Sequence, residues 1–338
     1  MFCIAVFIIF LILYPILGIF SPEYRRMFKK AWVCAFKRIT FKPCDISFGE
    51  ELKNKILSKL VFKFPKTAKF IDRTATYWAF AFIALSVWSL IYVIIGGLNL
   101  WVYDTCDPQN GESCALSGEA CGVNTDKSPS IIDTIGRIPD RFKTWNAKDY
   151  LPTPATYYKS YDSNKKDAIE FIDPGCKFCK KLWQNINQAG FEDKYNLTYV
   201  VYPIPQNGGY KFPHSYMLAS YLEVLKTMPL ESSSIPTDWR LLDKIFTDNT
   251  DKTDVQNAIN SIWNKEQVIS QIHKYLKEFG YNDEQIKTID QKVENDDMKD
   301  VVLAHKDIVE NKVKTIKIPT IIFDGRRWDR VVDVETLK

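Results

Sequence analysis

Residues 168–183, AIEFIDPGCKFCKKLW, decide how this chain is read. The apolar run Ala168-Ile169-Glu170-Phe171-Ile172 predicts a strand, and the stretch from Lys180 onward, with Leu182, Trp183 and Ile186, predicts a helix. Between them, Cys176-Lys177-Phe178-Cys179 places two thiols on the first turn of that helix. A helix N-terminus offers unpaired N–H groups and partial positive charge, which stabilise a thiolate at Cys176. Lys177, Lys180 and Lys181 add cationic charge nearby. The thiolate is the form that attacks disulfides, so chemistry is expected to start at Cys176.

A CxxC pair can also be half of a zinc site. The other half would be a second CxxC or a histidine pair, and His214, His273 and His305 are scattered instead. The pair therefore reads as a redox dithiol, with no metal or organic cofactor beyond a Cys176–Cys179 disulfide.

The formal net charge of +4 over 338 residues hides an uneven distribution. Residues 1–22 and 74–103 carry no charged side chain. Residues 23–73 hold 14 Lys/Arg against 5 Asp/Glu, and the remainder 31 against 36. This describes a membrane protein with one soluble domain and argues against a basic nucleic-acid binder. Phe2–Phe20 is long enough to cross a hydrocarbon core, and Tyr77–Tyr103 can cross with tilt. Tyr77, Trp78, Trp101 and Tyr103 fringe the second run like interfacial aromatics. A cleaved signal peptide fits the first run poorly, because its cations follow the apolar stretch. The basic loop should stay in the cytoplasm, which puts the N-terminus and everything after residue 103 outside the plasma membrane. Disulfides persist there.

The expected organisation is a first transmembrane helix at 1–22, a basic cytoplasmic loop at 23–73 and a second transmembrane helix at 74–103. An extracytoplasmic Cys-containing loop and linker follow at 104–165, and a folded domain at 166–338. The cytoplasmic loop shows helical spacing at Phe28, Trp32, Phe36 and Ile39 and again over 50–64, consistent with helices lying on anionic lipid or with a solvated basic loop. In the linker, prolines break any long element, and a strand is expected around 155–161. In the domain, Leu197-Thr198-Tyr199-Val200-Val201-Tyr202-Pro203-Ile204 reads as a second strand. A helical insertion spans about 215–314. Ile318-Pro319-Thr320-Ile321-Ile322-Phe323 returns to strand, Asp324-Gly325 turns, and a short strand is expected at 330–334. The class is α/β.

Two further positions bear on the dithiol. Glu170, six residues before Cys176, could move a proton to or from the Cys179 sulfur if buried beneath the pair; otherwise it is an edge glutamate facing solvent. Pro319 opens an apolar strand where a proline is not at home in a central ladder. A cis bond there would leave backbone groups beside Cys176 free to pair with a substrate chain.

Glu170-Phe171, Cys176-x-x-Cys179, the strand to Tyr202-Pro203, the helical insertion and Ile318-Pro319-Thr320 together resemble the thioredoxin superfamily. The long insertion makes the domain similar to the DsbA-like thiol–disulfide oxidoreductases. The N-terminal half resembles membrane-anchored bacterial proteins. The resemblance covers about 166–338 and implies a thioredoxin-like fold with a helical insertion. It implies Cys176 as nucleophile, Cys179 as resolving thiol, Pro319 as cis-proline and Glu170 as proton-transfer carboxylate. Lys177-Phe178 matches neither the dipeptide of the strongly oxidising members nor that of thioredoxin, so the direction of electron flow stays open.

Of the other cysteines, Cys106, Cys114 and Cys121 lie close together on the outside. One disulfide among them is expected, leaving a thiol for an intermolecular bond or a relay to Cys176–Cys179. Cys34 and Cys44 read as free structural thiols and Cys3 as a small apolar residue of the first span. The leading function is a membrane-anchored, extracytoplasmic thiol–disulfide oxidoreductase. Its partners would be exported proteins with thiols or disulfides, a further redox partner and membrane lipid, but not nucleic acid. The alternative is a non-catalytic thioredoxin-fold adaptor at the cell surface.

Overall fold

The computed structural model describes residues 65–338, except 104, 106–107, 109–119, 123–128, 207, 231–233 and 296. The first expected span, the cytoplasmic-loop helices, and Cys3, Cys34, Cys44, Cys106 and Cys114 lie outside the described residues. The chain divides into two compact units, Met1–Ile95 and Gly96–Lys338.

Helix α1, Pro65–Tyr103, covers the second apolar run. Among the described residues no helix is long and apolar enough to cross a membrane. Side chains of α1 are described without a break only over 87–103, so the membrane reading of 74–103 rests on its sequence. Strand β1 is the two-residue Cys121–Gly122, and α2, Ile131–Gly136, is a short helix closed by a capping box between Ser130 and Asp133.

Strand β2, Lys166–Ile172, leads through α3, Lys177–Ala189, to β3, Tyr195–Val201. In α3 the buried residues Cys179, Leu182, Trp183 and Ile186 recur at helical spacing, and Gly190 ends the helix with φ of 62°. Strands β2 and β3 pair in parallel from Lys166↔Tyr195 to Ile172↔Val201. All seven residues of β3 are buried, as expected for a strand covered on both faces.

A small hairpin of β4 (Pro205–Gln206) and β5 (Gly209–Tyr210) precedes the insertion. The insertion is built from α4 (Ser215–Thr227), α5 (Thr237–Thr247), α6 (Val255–Ser261), α7 (Lys265–Phe279), α8 (Asp283–Val293) and α9 (Asp297–Asp307). A π-type segment, Ile308–Val313, closes it. The chain then makes β6 (Lys317–Ile318), β7 (Thr320–Phe323), β8 (Arg326–Trp328) and α10 (Val334–Leu337). The β7–β8 turn is Asp324-Gly325, with φ of 49° and 74°. Positive φ at both positions matches the twist of a two-residue hairpin. The sheet order is β3-β2-β7-β8, with β7 antiparallel to β2 and to β8. A parallel β-α-β unit followed by an antiparallel hairpin is the thioredoxin-like arrangement, with the helices of the insertion between its halves.

Aromatic packing joins the insertion to α3. Trp183 and Trp239 stack at 5.4 Å, Tyr158 meets both edge-on at 5.0 and 5.4 Å, and Tyr199 approaches Trp239 at 4.6 Å. Such pairs contribute about 0.5–1.5 kcal/mol each beyond the area they bury. Trp183 Nε1 donates to Asp243 on α5 at 2.8 Å. Beneath them, Lys226 and Glu223 of α4 form a buried ion pair at 2.6 Å, with the ammonium 4.2 Å from the Tyr199 ring centre.

Three sequence expectations change. Residues 155–161 form no strand: Tyr158 N–H donates to Leu197 O, Thr198 Oγ1 takes up Thr156 O, and the Tyr158 ring enters the aromatic cluster. The expected strand at 330–334 lies earlier, at Arg326–Trp328. Asp333 instead caps α10, accepting from Thr336 N at 2.9 Å. The core also reaches back before residue 166, since Trp145, Ala147 and Tyr150 are buried and Trp145 N–H donates to Gly325 O at 2.9 Å.

Candidate functional site

The site sits where β2 gives way to α3. Asp173-Pro174-Gly175 turns the chain, and Cys176 takes the N-cap of α3 in extended conformation. The turn is held from several sides. Cys176 N–H donates to Asp173 O at 2.9 Å. The buried Asp173 carboxylate accepts from Gly175 N and Ile204 N, each at 2.8 Å, and from Ser215 Oγ. Burial raises the Asp173 carboxyl to about 6, with these hydrogen bonds pulling the other way. The turn's carbonyls are taken up by the insertion. Gln256 Nε2 donates to Pro174 O at 2.8 Å and Cys176 O at 3.1 Å, and Asn260 Nδ2 donates to Gly175 O at 2.8 Å. Lys180, one turn into α3, pairs with Asp254 at 3.0 Å. Gly175 is required by close approach: a Cβ there would lie 2.5 Å from Phe212 Cβ and Cγ.

Cys176 is not bonded to Cys179. It is disulfide-bonded to Cys121, and Cys179 is a free, buried thiol. This corrects the expected Cys176–Cys179 disulfide; Cys106 and Cys114 lie outside the described residues, and Cys121 is the cysteine of that group that meets Cys176. The physical reason is strand pairing. Strands β1 and β6 are antiparallel, with Cys121 opposite Ile318 and Gly122 opposite Lys317, which brings the Cα atoms of Cys121 and Cys176 to 6.7 Å.

The Ile318–Pro319 peptide is cis, and Ile318 O lies 3.7 Å from Cys176 Sγ. A disulfide sulfur carries no hydrogen, so this is a contact rather than a hydrogen bond. The backbone beside Cys176, read from the sequence as free for a substrate chain, is thus already paired with a strand of the same chain.

Glu170 is buried, and its Oε1 has no hydrogen-bond partner. Burial raises its carboxyl to about 8. Cys179 is held well above the ordinary thiol range, first by burial and then by the charge of Glu170. Asp173 N–H, donating to Cys179 Sγ at 3.5 Å, acts the other way. The solvent-facing alternative for Glu170 is therefore not the observed one. A buried thiol and a buried carboxyl that sense each other can exchange a proton out of contact with water.

The histidines sit elsewhere: His214 against Trp263 O at 3.2 Å, His273 against Asp290 at 3.0 Å, and His305 against Val201 O at 3.0 Å. Among the described residues, no three His, Cys, Asp or Glu side chains gather as a metal site. Asp173, Gln256 and Asn260 were missed by sequence reading. The Asp-Pro-Gly turn signature could have flagged Asp173, whereas Gln256 and Asn260 carry no local signal.

No family model and no curated protein matches the chain. Solved structures are similar to it. One is a thioredoxin-like oxidoreductase from Silicibacter pomeroyi DSS-3, at 14% identity and a TM-score of 0.39, over 56% of this chain and 92% of that one. Another is MdbA, a thiol-disulfide oxidoreductase from Corynebacterium diphtheriae, at 14% identity and 0.43, over 58% and 93%. A third is oxidised BdbD from Bacillus subtilis, at 16% identity and 0.40, over 58% and 95%. The fold assignment rests on the strand order above, and the chemistry on the cysteines.

Proposed function

We propose that this chain is a membrane-anchored, extracytoplasmic thiol–disulfide oxidoreductase acting on exported proteins through Cys176 and Cys179. The observation that carries this reading is a disulfide at Cys176 whose partner cysteine lies on an extended strand paired with Lys317–Ile318. That is the arrangement a client polypeptide would take in a mixed disulfide. Cys176 is the nucleophile and Cys179 the resolving thiol. Ile318 and Pro319 shape the strand-binding edge, and Glu170 exchanges the proton with Cys179. Electrons pass only between cysteine sulfurs, and a further redox protein resets their state. An outside location favours oxidation of clients.

The anchoring part is supported by the uncharged run 74–103 and by α1, where Leu85, Trp88, Ile91, Tyr92 and Ile94 are exposed. The basic segment 23–73 supports the orientation. Alkaline extraction of membranes should leave the chain in the pellet; recovery in the supernatant would remove the anchor.

In detergent, the full-length chain should oxidise a reduced dithiol peptide with glutathione disulfide as the terminal oxidant. The double variant Cys121→Ser with Cys179→Ser, which leaves no thiol in the site to attack Cys176, should accumulate a covalent adduct between Cys176 and a single-thiol form of the peptide when glutathione disulfide is present. If the parent shows no turnover and the variant no adduct, the adaptor reading takes over, in which the domain holds partners without exchange.

A further inference from the structure

We propose that Cys121 is a third redox cysteine of this site, carried on a tethered strand that caps Cys176 at rest and is released by exchange with Cys179. The inference rests on the oxidoreductase reading and adds its regulation.

Four observations carry it. Cys121 is bonded to Cys176. Its strand pairs antiparallel with Lys317–Ile318, next to the Ile318–Pro319 bond. Burial is complete in practice: Ala120 is 3% exposed, Cys121 1%, and Cys176 and Cys179 0%. An external thiolate must reach a sulfur to attack it, so in this state the site is closed to clients. Finally, Tyr103, on the N-terminal side of Cys121, is itself placed beside the same strand, since it packs with Val102 and Ile316, two residues before Ile318. Arg137 reinforces this corner, its guanidinium 5.2 Å from the Tyr103 ring centre. The flanking residues suit the role, because Ala120 and Gly122 bring little side-chain bulk to the buried edge.

The release step balances within the chain. Cys179, giving its proton to ionised Glu170, attacks Cys176 Sγ. The Cys176–Cys179 bond forms, the Cys121–Cys176 bond breaks, and the electron pair leaves on Cys121 as a thiolate, which takes up a proton. One thiol and one disulfide exist before and after, so no oxidant or reductant is consumed. Cys179 stands three residues along α3 from Cys176, on the same first turn. The freed strand then vacates Lys317–Ile318, and a client takes its place.

A short tether holds its end at an effective concentration of about a millimolar or more. A client peptide at roughly 10 μM therefore competes at a disadvantage of about a hundredfold.

The test uses the full chain in detergent. Thiols are blocked at acid pH, the protein is digested without reduction, and linked peptides are identified by mass spectrometry. A Cys121–Cys176 linked peptide is expected in the parent. Against a reduced dithiol peptide at micromolar concentration, Cys121→Ser should turn over about ten- to a hundredfold faster than the parent. Cys121→Val, which keeps apolar volume in the buried strand, should behave alike and guards against a folding defect in the serine variant. Absence of the linked peptide, with variant rates equal to or below the parent's, overturns the cap while leaving oxidoreductase activity standing. No turnover by parent or variants would instead sink the oxidoreductase reading, and the cap with it.

Discussion

Replacing Cys176 with serine should drop peptide oxidation to the uncatalysed background, while the parent turns over in the same assay. Exchange proceeds through a sulfur–sulfur bond at the attacking residue, and a serine hydroxyl neither ionises near neutral pH nor forms that bond. Cys179 cannot stand in, because its thiol is held well above the ordinary range. The same substitution removes the Cys121–Cys176 cross-link, which spans a sequence separation of 55. Closing a loop of that size stabilises a native state by about 4 kcal/mol in the chain-entropy account, and measured effects are often smaller. Cys176→Ser should therefore unfold at lower urea than the non-reduced parent, and a reductant should bring the parent down toward the variant. Residual exchange in Cys176→Ser would place the nucleophile elsewhere. Identical urea midpoints for variant and non-reduced parent would argue that the cross-link is not formed in solution.

Glu170→Gln should change both the pH dependence of stability and the rate of resolution. The native carboxyl is raised from 4.5 to about 8 by burial. The folded state thus holds a proton that the unfolded chain releases above about 4.5. Stability tied to this group is fully present below 4.5, is lost as pH rises toward 8, and levels off above. One pKa unit corresponds to about 1.4 kcal/mol, so the loss amounts to about 4 kcal/mol by pH 8. Glutamine does not titrate. The variant should match the parent near pH 4 and exceed it by up to about 4 kcal/mol at pH 8, read from urea unfolding across that range. Parallel curves for the two proteins would show that Glu170 is not buried as a neutral acid.

The kinetic consequence has the opposite sign. Cys179 must lose its proton before it can attack Cys176, and glutamine cannot accept one. Resolution should slow by about a hundredfold or more, the usual scale of general-base catalysis. In the parent, resolution should accelerate as pH rises through about 8. A more stable but slower variant separates a catalytic carboxyl from a merely structural one.

Parts of this site were legible because their signals are local. Cys176 and Cys179 mark a helix N-terminus by spacing alone. Glu170 lies on an apolar strand a fixed distance upstream, and Pro319 stands out at the start of another. Strand periodicity likewise placed β2, β3 and β7, since burial on both faces leaves near-continuous apolar runs. The irregular segments were less readable. Tyr158 looked like part of a strand because aromatic residues favour strands, yet its ring is drawn into the cluster around Trp183 and Trp239. Asp333 looked like the end of a strand until its carboxylate capped α10.

From the sequence alone follow the dithiol, the carboxyl behind it, the proline beside it and the α/β frame, because spacing along a strand or one helical turn determines such neighbours. The tertiary structure decided which sulfur Cys176 bonds. It also decided that the insertion's Gln256 and Asn260 hold the active-site turn. The physical reason is loop closure. Cys121 and Cys176 are 55 residues apart, and nothing in their local patterns encodes a meeting that depends on β1 pairing with β6.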